Sequence, residues 1–470
     1  MTAPARRLAI IGAGVSGLAA AAELARLAEE GSTPLDLSVF EADARPGGKI
    51  QGVDFGSARV DLGAESLLAR DPGVEALVER LGLGSSLVRP ATTSAAIWNG
   101  RRLVALPKTS VLGVPLYPWR RDVVRAVGVA GAVRAALEPL LGRGDPEPDG
   151  ALGVFLSSRV GKAVFRRLVD PLLGGVYAGP AAPLSSAAVA PQLVAAAEGG
   201  GSLLRALRRS AATRPRASDQ TPFVSFQGGL EELTKGLLGL IPKDSLLLGR
   251  AVDRLEGVDS GRIRVHVAAA PSADFDGLIL AVPAPAAALV MTALSPAMGS
   301  LLRQLEYASV ATVTLAYPEE GFSRPLVGSG FLATRRQRRT LTACTFLDHK
   351  WPHLRRPGRT LLRASAGSFG EEWVLALDDT TLVSSIHREL RSILGLTELP
   401  IEVRVERWHG ALPQYRAGHL AWRAQVEEMA ATLPAPIELT GAAFGGVGVA
   451  SCLRDGATAA RSLWSRTGPA

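Results

Sequence analysis

A chain of mixed α/β and α+β class is predicted by three observations. A glycine-rich turn, Gly12-Ala13-Gly14-Val15-Ser16-Gly17, stands between a short apolar run and an Ala/Leu-rich helix former. Strand-like runs recur far downstream at 310–317 and 361–366, followed by an amphipathic helical pattern at 381–394. Between these ends, residues 81–181 carry Leu/Ala/Val-rich helical patterns. At 470 residues, and roughly 150 residues per domain, the chain has room for about three units. These are a Rossmann-like nucleotide-binding unit, a mixed-sheet unit and a helical one.

The composition is that of an ordinary globular protein, 47% hydrophobic and 20% charged, which excludes disorder. The formal charge of +8 comes from 46 arginines and only six lysines against 44 acids. Arginine binds carboxylate and phosphate in a bidentate fork, but an Ala/Gly/Arg bias also follows from a GC-rich genome. The excess is scattered, with no basic tract interleaved with aromatics, so nucleic acid is not an expected partner. Two cysteines, Cys344 and Cys452, cannot build a disulfide framework in so long a chain and point to a reducing, cytoplasmic setting. His349 and His353 have H-x3-H spacing, but Pro352 between them argues against one helical face, and no metal site is expected.

Two stretches invite misreading. The N-terminal run resembles a signal peptide, yet its glycine spacing has a better explanation below. Residues 277–299 are apolar enough to span a membrane, but Pro283 and Pro285 interrupt them. They parse as a buried strand over 278–282, a proline turn and a helix over 286–294.

At the N-terminal end, Leu8–Ile11 suits a buried parallel strand. In the turn that follows, Gly12 permits the tight bend, Gly14 lets a pyrophosphate approach, and Gly17 lets the helix pack on the strand. The helix N-terminus offers free N–H groups to phosphate. A second strand, 35–40, ends at Glu41, whose carboxylate accepts both ribose hydroxyls and repels a 2′-phosphate. NAD and FAD both remain open at this point. The next stretch, Glu41-Ala42-Asp-Ala-Arg45-Pro-Gly47-Gly48-Lys49, adds paired glycines and two cations able to neutralise phosphate.

GxGxxG, then Glu, then RxGG resembles the FAD-binding end of the amine oxidase and phytoene desaturase superfamily. Glu438-Leu-Thr-Gly441-Ala and Gly445-Gly446-Val447-Gly448-Val449 resemble its C-terminal motif, where a helix N-terminus faces the flavin. The resemblance therefore implies FAD, held by a discontinuous domain of 1–48, 222–292 and 407–470. It assigns substrate-domain segments to 49–80, 182–221 and 293–406, and a helical, membrane-facing domain to 81–181. The polar stretch 210–222 reads as a mobile loop or linker. By resemblance, Gly63-Ala64-Glu65-Ser66 lies beside the flavin, Val252 beside the adenine, and Trp408 next to the flavin. From the residues alone, Trp408 is equally a buried aromatic.

Narrower motifs resemble the oxygen-dependent porphyrinogen oxidases of haem synthesis, in the branch from Gram-positive bacteria. They are Pro171-Leu-Leu-Gly-Gly175-Val-Tyr177-Ala-Gly179, Phe226-Gln-Gly228-Gly229-Leu230, Lys350-Trp351-Pro352, Arg407-Trp408-His409, Leu412-Pro413-Gln414-Tyr415 and Gly418-His419. That resemblance implies oxidation of coproporphyrinogen III, with protoporphyrinogen IX as the alternative substrate. The reaction it implies is a six-electron aromatisation in three rounds, each moving a hydride to flavin N5, with oxygen reoxidising the flavin to give peroxide. No catalytic side chain is named.

Gly175, Tyr177 and Gly179 are expected at the substrate cavity or, for the last two, simply at a turn. Arg70 and Lys350 are expected to meet propionates, although Arg70 also reads as a solvated arginine. Arg335 to Arg339 read as a solvated loop or as a contact for anionic lipid or a partner. Peripheral membrane attachment and a haem-pathway partner such as a ferrochelatase stay open. Two positions depart from the family pattern. Ala64 and Glu65 replace Pro-Asp/Asn, and Gly445 replaces an acid. The rivals are an amine oxidase, for which Cys452 would be the C-terminal flavin tether, a carotenoid desaturase, and a non-catalytic porphyrin carrier.

Overall fold

The computed structural model describes residues 5–68, 72–141, 146–213, 223–258, 261–268, 270–334 and 339–468. Strands from three distant parts of the chain form one five-stranded parallel sheet. Its order is Leu246–Leu247, Leu35–Phe40, Arg6–Ile11, Gly277–Leu280, Ile437–Leu439. Successive side chains on a strand point to opposite faces, and both faces here are covered. Leu8 and Ile10 enter the core beneath helices Val15–Glu30 and Val449–Arg466, whereas Ala9 and Ile11 enter the core on the other side. The two helices pack closely because Gly456 sits on Ser16, where an added Cβ would lie 2.2 Å from the Ser16 carbonyl oxygen.

The apolar stretch 277–299 contains strand Gly277–Leu280 and helices Ala284–Met291 and Pro296–Leu302. The first helix begins two residues earlier than expected, because Pro283 caps it and Pro285 occupies its first turn, where no N–H is needed. Among the described residues, no helix is long and apolar enough to cross a membrane.

A second sheet has seven strands in the order Glu402–Pro413, Tyr307–Pro318, Arg359–Ala366, Leu341–Phe346, Gly330–Ala333, Ala96–Trp98, Leu103–Ala105. It is antiparallel except where Gly330–Ala333 meets Ala96–Trp98. Helix Asp379–Leu394 covers one face with Leu382, Ile386, Leu390 and Ile393, an i, i+4 stripe. Asp378 caps this helix by accepting from Thr381 N at 2.9 Å, and Gly395 ends it in the left-handed region at φ +73°. The sheet's opposite face carries Thr312, Thr342, Arg363 and Ser365 into a cavity.

The helical region is more broken than its sequence suggests. Residues 121–141 divide into Arg121–Val127, Val129–Ala136 and Glu138–Leu141, turned at Gly128 with φ +80°. Residues 152–177 likewise break at Gly161 (φ +89°). Pro171 lies in the first turn of Asp170–Tyr177, following a π-turn over Phe165–Val169, and removes no needed donor there. The stretch 210–222 begins as the end of helix Leu203–Thr213, and its remainder lies outside the described residues.

A buried ion pair ties these helices together. Glu138 (0% exposed) accepts from Ser202 Oγ at 2.6 Å and Leu203 N at 2.8 Å, and lies 3.5 Å from Arg159 (2% exposed). Arg159 also donates to the Gly201 carbonyl at 2.7 Å. Glu138→Ala strands a buried guanidinium and uncaps helix Leu203–Thr213, so it costs about 3–5 kcal/mol, read as a lower urea midpoint.

Candidate active site

The glycine turn behaves as its three roles require. Gly12 has φ +102°, and an added Cβ would lie 2.8 Å from both the Ala281 carbonyl oxygen and Val282 Cγ1. A Cβ on Gly17 would lie 1.9 Å from the Gly12 carbonyl oxygen, so helix and strand touch there. At Gly14 an added Cβ meets nothing within 4 Å, because that position faces open cavity. Gly14 caps helix Val15–Glu30 without a side-chain bond, leaving its first N–H groups available. The paired glycines dock on this turn through Gly47 N, which donates to the Ala13 carbonyl at 2.8 Å. Gly47 (φ +101°) and Gly48 (φ +56°) both need the left-handed region.

Glu41 closes the same loop by accepting from Ala13 N at 2.7 Å and Asp43 N at 3.0 Å. Arg45 and Lys49 divide the work expected of a cationic pair. Arg45 braces the turn, donating to the Gly48 carbonyl at 2.8 Å and Gln51 Oε1 at 2.9 Å, with longer bonds to the Pro46 and Ile50 carbonyls. Its η hydrogens are thereby occupied by the turn rather than free for phosphate. Lys49 lines the cavity without a carboxylate partner among the described residues, and burial lowers its ammonium pKa.

Opposite lies the N-terminus of helix Val449–Arg466, capped by Gly448 without a side-chain bond, with Val447, Val449 and Gly441 lining the cavity. Asp455 from this helix accepts from Thr440 Oγ1 at 2.7 Å and Gly441 N at 2.9 Å. An added Cβ on Gly445 would lie 2.4 Å from Asp455 Cβ, so Asp455 leaves no room for an acid at position 445. Cys452 also lines the cavity; its thiol bonds the Gly446 carbonyl at 3.4 Å, and burial raises its pKa.

The cavity measures about 950 Å³, at the upper end of ligand pockets, and runs from the glycine turn to the polar face of the seven-stranded sheet. Trp408 is half-buried and lines it. Its ring edge packs on Gly63, where an added Cβ would lie 3.1 Å from Cζ2, and its Nε1 donates to Thr312 Oγ1 at 3.2 Å. Gly63 and Ala64 line the cavity, but Glu65 and Ser66 do not. Glu65 turns behind the loop to pair with Lys350 and Arg363. Burial alone would raise its carboxyl, yet the two cations hold it down to about 2.

Lys350 is therefore neutralised by Glu65 and does not line the cavity, contrary to its expected place on a propionate rim. Arg363 was not singled out from the sequence. It lines the cavity and donates to the Asp61 carbonyl at 2.9 Å and the Gly63 carbonyl at 3.3 Å. Its alternation with buried Leu362 and Ala364 in a strand was the available signal.

On the helical side, Pro171, Gly174, Gly175 and Ala178 line the cavity. Their i, i+3, i+4, i+7 spacing puts them on one side of the turns through 178, which leaves Tyr177 on another. Tyr177 instead packs in the helical core against Tyr415, 5.5 Å between ring centroids, and Gly179 is pressed against Gln414, whose Nε2 donates to the Tyr177 carbonyl at 2.7 Å. Both expected cavity residues are thus structural. Val252 packs partly buried against the core near Phe40, Ala13 and Gly17 are covered, and exposed Ala42 does not line the cavity. Arg70 and 335–338 lie outside the described residues, and only Arg339 of the basic stretch is described.

Beneath the 62–64 loop, Asp61 accepts from Leu230 N at 3.0 Å and 3.3 Å. Burial pushes its carboxyl up to about 7, against the bond from Leu230 and the charge of Arg363. Its unfolded value is about 3.9, so the folded state binds the extra proton and stability falls as pH rises from about 4 to 7. Asp61→Asn removes that penalty. Its urea midpoint relative to wild type therefore rises between pH 5 and pH 8.

Against known proteins, the model of the flavin-containing amine oxidoreductase family matches residues 15–463. The chain belongs to that family. A coproporphyrinogen III oxidase from Bacillus subtilis is 32% identical, covering 97% of each chain. One from Staphylococcus aureus is 27% identical over 97% of this chain and 99% of its own. A crystal structure from Exiguobacterium, provisionally named a protoporphyrinogen oxidase, superposes with TM-score 0.85 at 32% identity, covering 98% of this chain and 99% of that one. The protein is accordingly a flavin-dependent oxidoreductase that uses FAD. The open cradle at Gly14, two uncapped helix N-termini and the unpaired Lys49 ammonium fit a dinucleotide carrying negative charge.

Proposed function

We propose that this flavoprotein oxidises coproporphyrinogen III to coproporphyrin III in haem synthesis, with oxygen as acceptor and hydrogen peroxide as product. The observation that carries the reading is the single cavity joining the glycine cradle to the polar sheet face, so that a cofactor and a flat substrate meet inside one enclosure. The full-length similarity to relatives bearing that enzyme name supports the choice of substrate.

FAD, when bound, supplies the hydride acceptor and the route of electrons to oxygen. The chain's own residues hold, orient and enclose. Val15 and Ser16 N–H groups and the Lys49 ammonium would hold the pyrophosphate, and Glu41 the ribose hydroxyls. The N-terminus of helix Val449–Arg466, which opens on the cavity, would supply positive potential able to stabilise negative charge on a reduced flavin. Trp408, Gly63 and Ala64 form a cavity wall that would flank the flavin, and Arg363 fixes that wall by holding the Asp61 and Gly63 carbonyls. Gly174 and Gly175 keep the opposite wall flat enough for a macrocycle. Hydride transfer from carbon uses no side-chain nucleophile.

In this reading, the divisions at 48, 80, 181, 221, 292 and 406 separate cofactor, substrate and helical parts. The enzyme works in the cytoplasm, and the exposed apolar side chains Trp119, Val129, Leu140 and Val154, with arginines nearby in sequence, suit peripheral contact with a membrane. Fluorescence-monitored oxidation of coproporphyrinogen III and protoporphyrinogen IX side by side, with peroxide recorded, tests the proposal. Preference for coproporphyrinogen III is expected. Preference for protoporphyrinogen IX overturns the substrate, and no turnover of either by FAD-loaded protein overturns the function.

A further inference from the structure

Five cations line the cavity: Arg45, Lys49, Arg339, Arg363 and Arg407. Two belong to the glycine cradle. Arg363 is engaged by Glu65 and two carbonyls. Arg407 is held by Asp379 at 2.5 Å and by the Leu377 carbonyl at 2.6 Å, with a longer bond to the Leu375 carbonyl. Among the described residues, Arg339 alone on the substrate side has neither a carboxylate nor a carbonyl partner. Its guanidinium carbon lies 5.9 Å from the centroid of the Trp98 ring, within cation–π range. A contact through the ring face leaves the guanidinium N–H groups free for a carboxylate fork.

The neighbouring backbone is fixed on both sides. Thr334 N donates to the Trp98 carbonyl at 3.0 Å, and Thr340 N donates to Glu389 Oε1 at 2.9 Å. Arg339 is therefore a half-buried cation without a counter-ion among the described residues, at the substrate-side wall of the cavity, where Arg363 and Arg407 are both paired with carboxylates. A half-buried charge in such a place is unfavourable until an anion meets it.

We propose that Arg339 is a substrate-binding residue that takes a propionate carboxylate of the porphyrinogen. This rests on the porphyrinogen reading above. The test is steady-state kinetics of wild type, Arg339→Gln and Arg339→Lys with both porphyrinogens, alongside flavin content and the thermal midpoint.

For Arg339→Gln, KM for coproporphyrinogen III is expected to rise at least about tenfold, equivalent to about 1.4 kcal/mol. The expected kcat stays within about twofold, because charge-paired binding acts equally on ground and transition states. Arg339→Lys is expected to fall between. Wild-type KM is also expected to rise with ionic strength, a reading that needs no variant. A wild-type KM indifferent to salt, or an Arg339→Gln enzyme with unchanged KM, overturns this inference while leaving the function standing. Wild type that turns over neither porphyrinogen overturns both.

Discussion

Gly14→Ala weakens FAD binding by about a hundredfold while the cofactor-free protein unfolds within about 1 kcal/mol of wild type. The backbone at Gly14 is extended, φ −69° and ψ 177°, which alanine adopts freely. An added Cβ meets no protein atom within 4 Å, so the fold has no reason to respond. A small loss of N-cap preference is set against a smaller unfolded-state entropy. The only space the methyl group takes is space the pyrophosphate approaches. Gly17→Ala is the informative contrast. Its Cβ would lie 1.9 Å from the Gly12 carbonyl oxygen, so both unfolding midpoint and flavin content fall. Calorimetric titration with FAD and urea unfolding of the two variants check this. A Gly14→Ala protein that binds FAD like wild type would mean that the cradle is elsewhere.

Glu65→Ala destabilises the protein by about 3–5 kcal/mol, because it leaves Lys350 and Arg363 buried without their shared anion. Glu65 has a folded pKa of about 2, below the unfolded value of about 4.3. A depressed carboxyl stabilises the fold above the unfolded value, and its contribution disappears as pH falls from about 4.3 to 2. That contribution is about 3 kcal/mol at neutral pH. The gap between wild type and variant in urea midpoint should therefore shrink steadily on acidification over this window. A gap independent of pH would assign the loss to packing. Since Arg363 also holds the Asp61 and Gly63 carbonyls, the variant should release the 62–64 loop and lose flavin more readily.

The cofactor half of the site was legible in the sequence because backbone demands write themselves as glycine spacing. Gly12, Gly17, Gly47 and Gly48 each occupy a position that a side chain would disrupt, and Glu41 ends its strand where the loop needs an acceptor. The two parallel-sheet strands near the N-terminus were equally legible, since burial on both faces produces short apolar runs.

The substrate half was harder to read because its residues act through partners from distant segments. Lys350 and Glu65 are 285 residues apart, and only folding reveals that each cancels the other. Tyr177 stands two residues from cavity-lining Gly175, but helical periodicity turns it into the core. Asp455 filling the space at Gly445 is a tertiary exchange that no local pattern carries. The breaks at Gly128 and Gly161 were not legible, because apolar periodicity continues across both while the backbone there turns into positive φ.

The most direct test of the account is anaerobic mixing of the FAD-loaded protein with coproporphyrinogen III. The expected result is that flavin absorbance bleaches with one two-electron oxidation of the porphyrinogen, and that admitting air restores the flavin and carries the remaining two rounds to fluorescent porphyrin, with three peroxides released per porphyrin formed. Porphyrinogen that binds without bleaching the flavin would contradict it and make the protein a carrier.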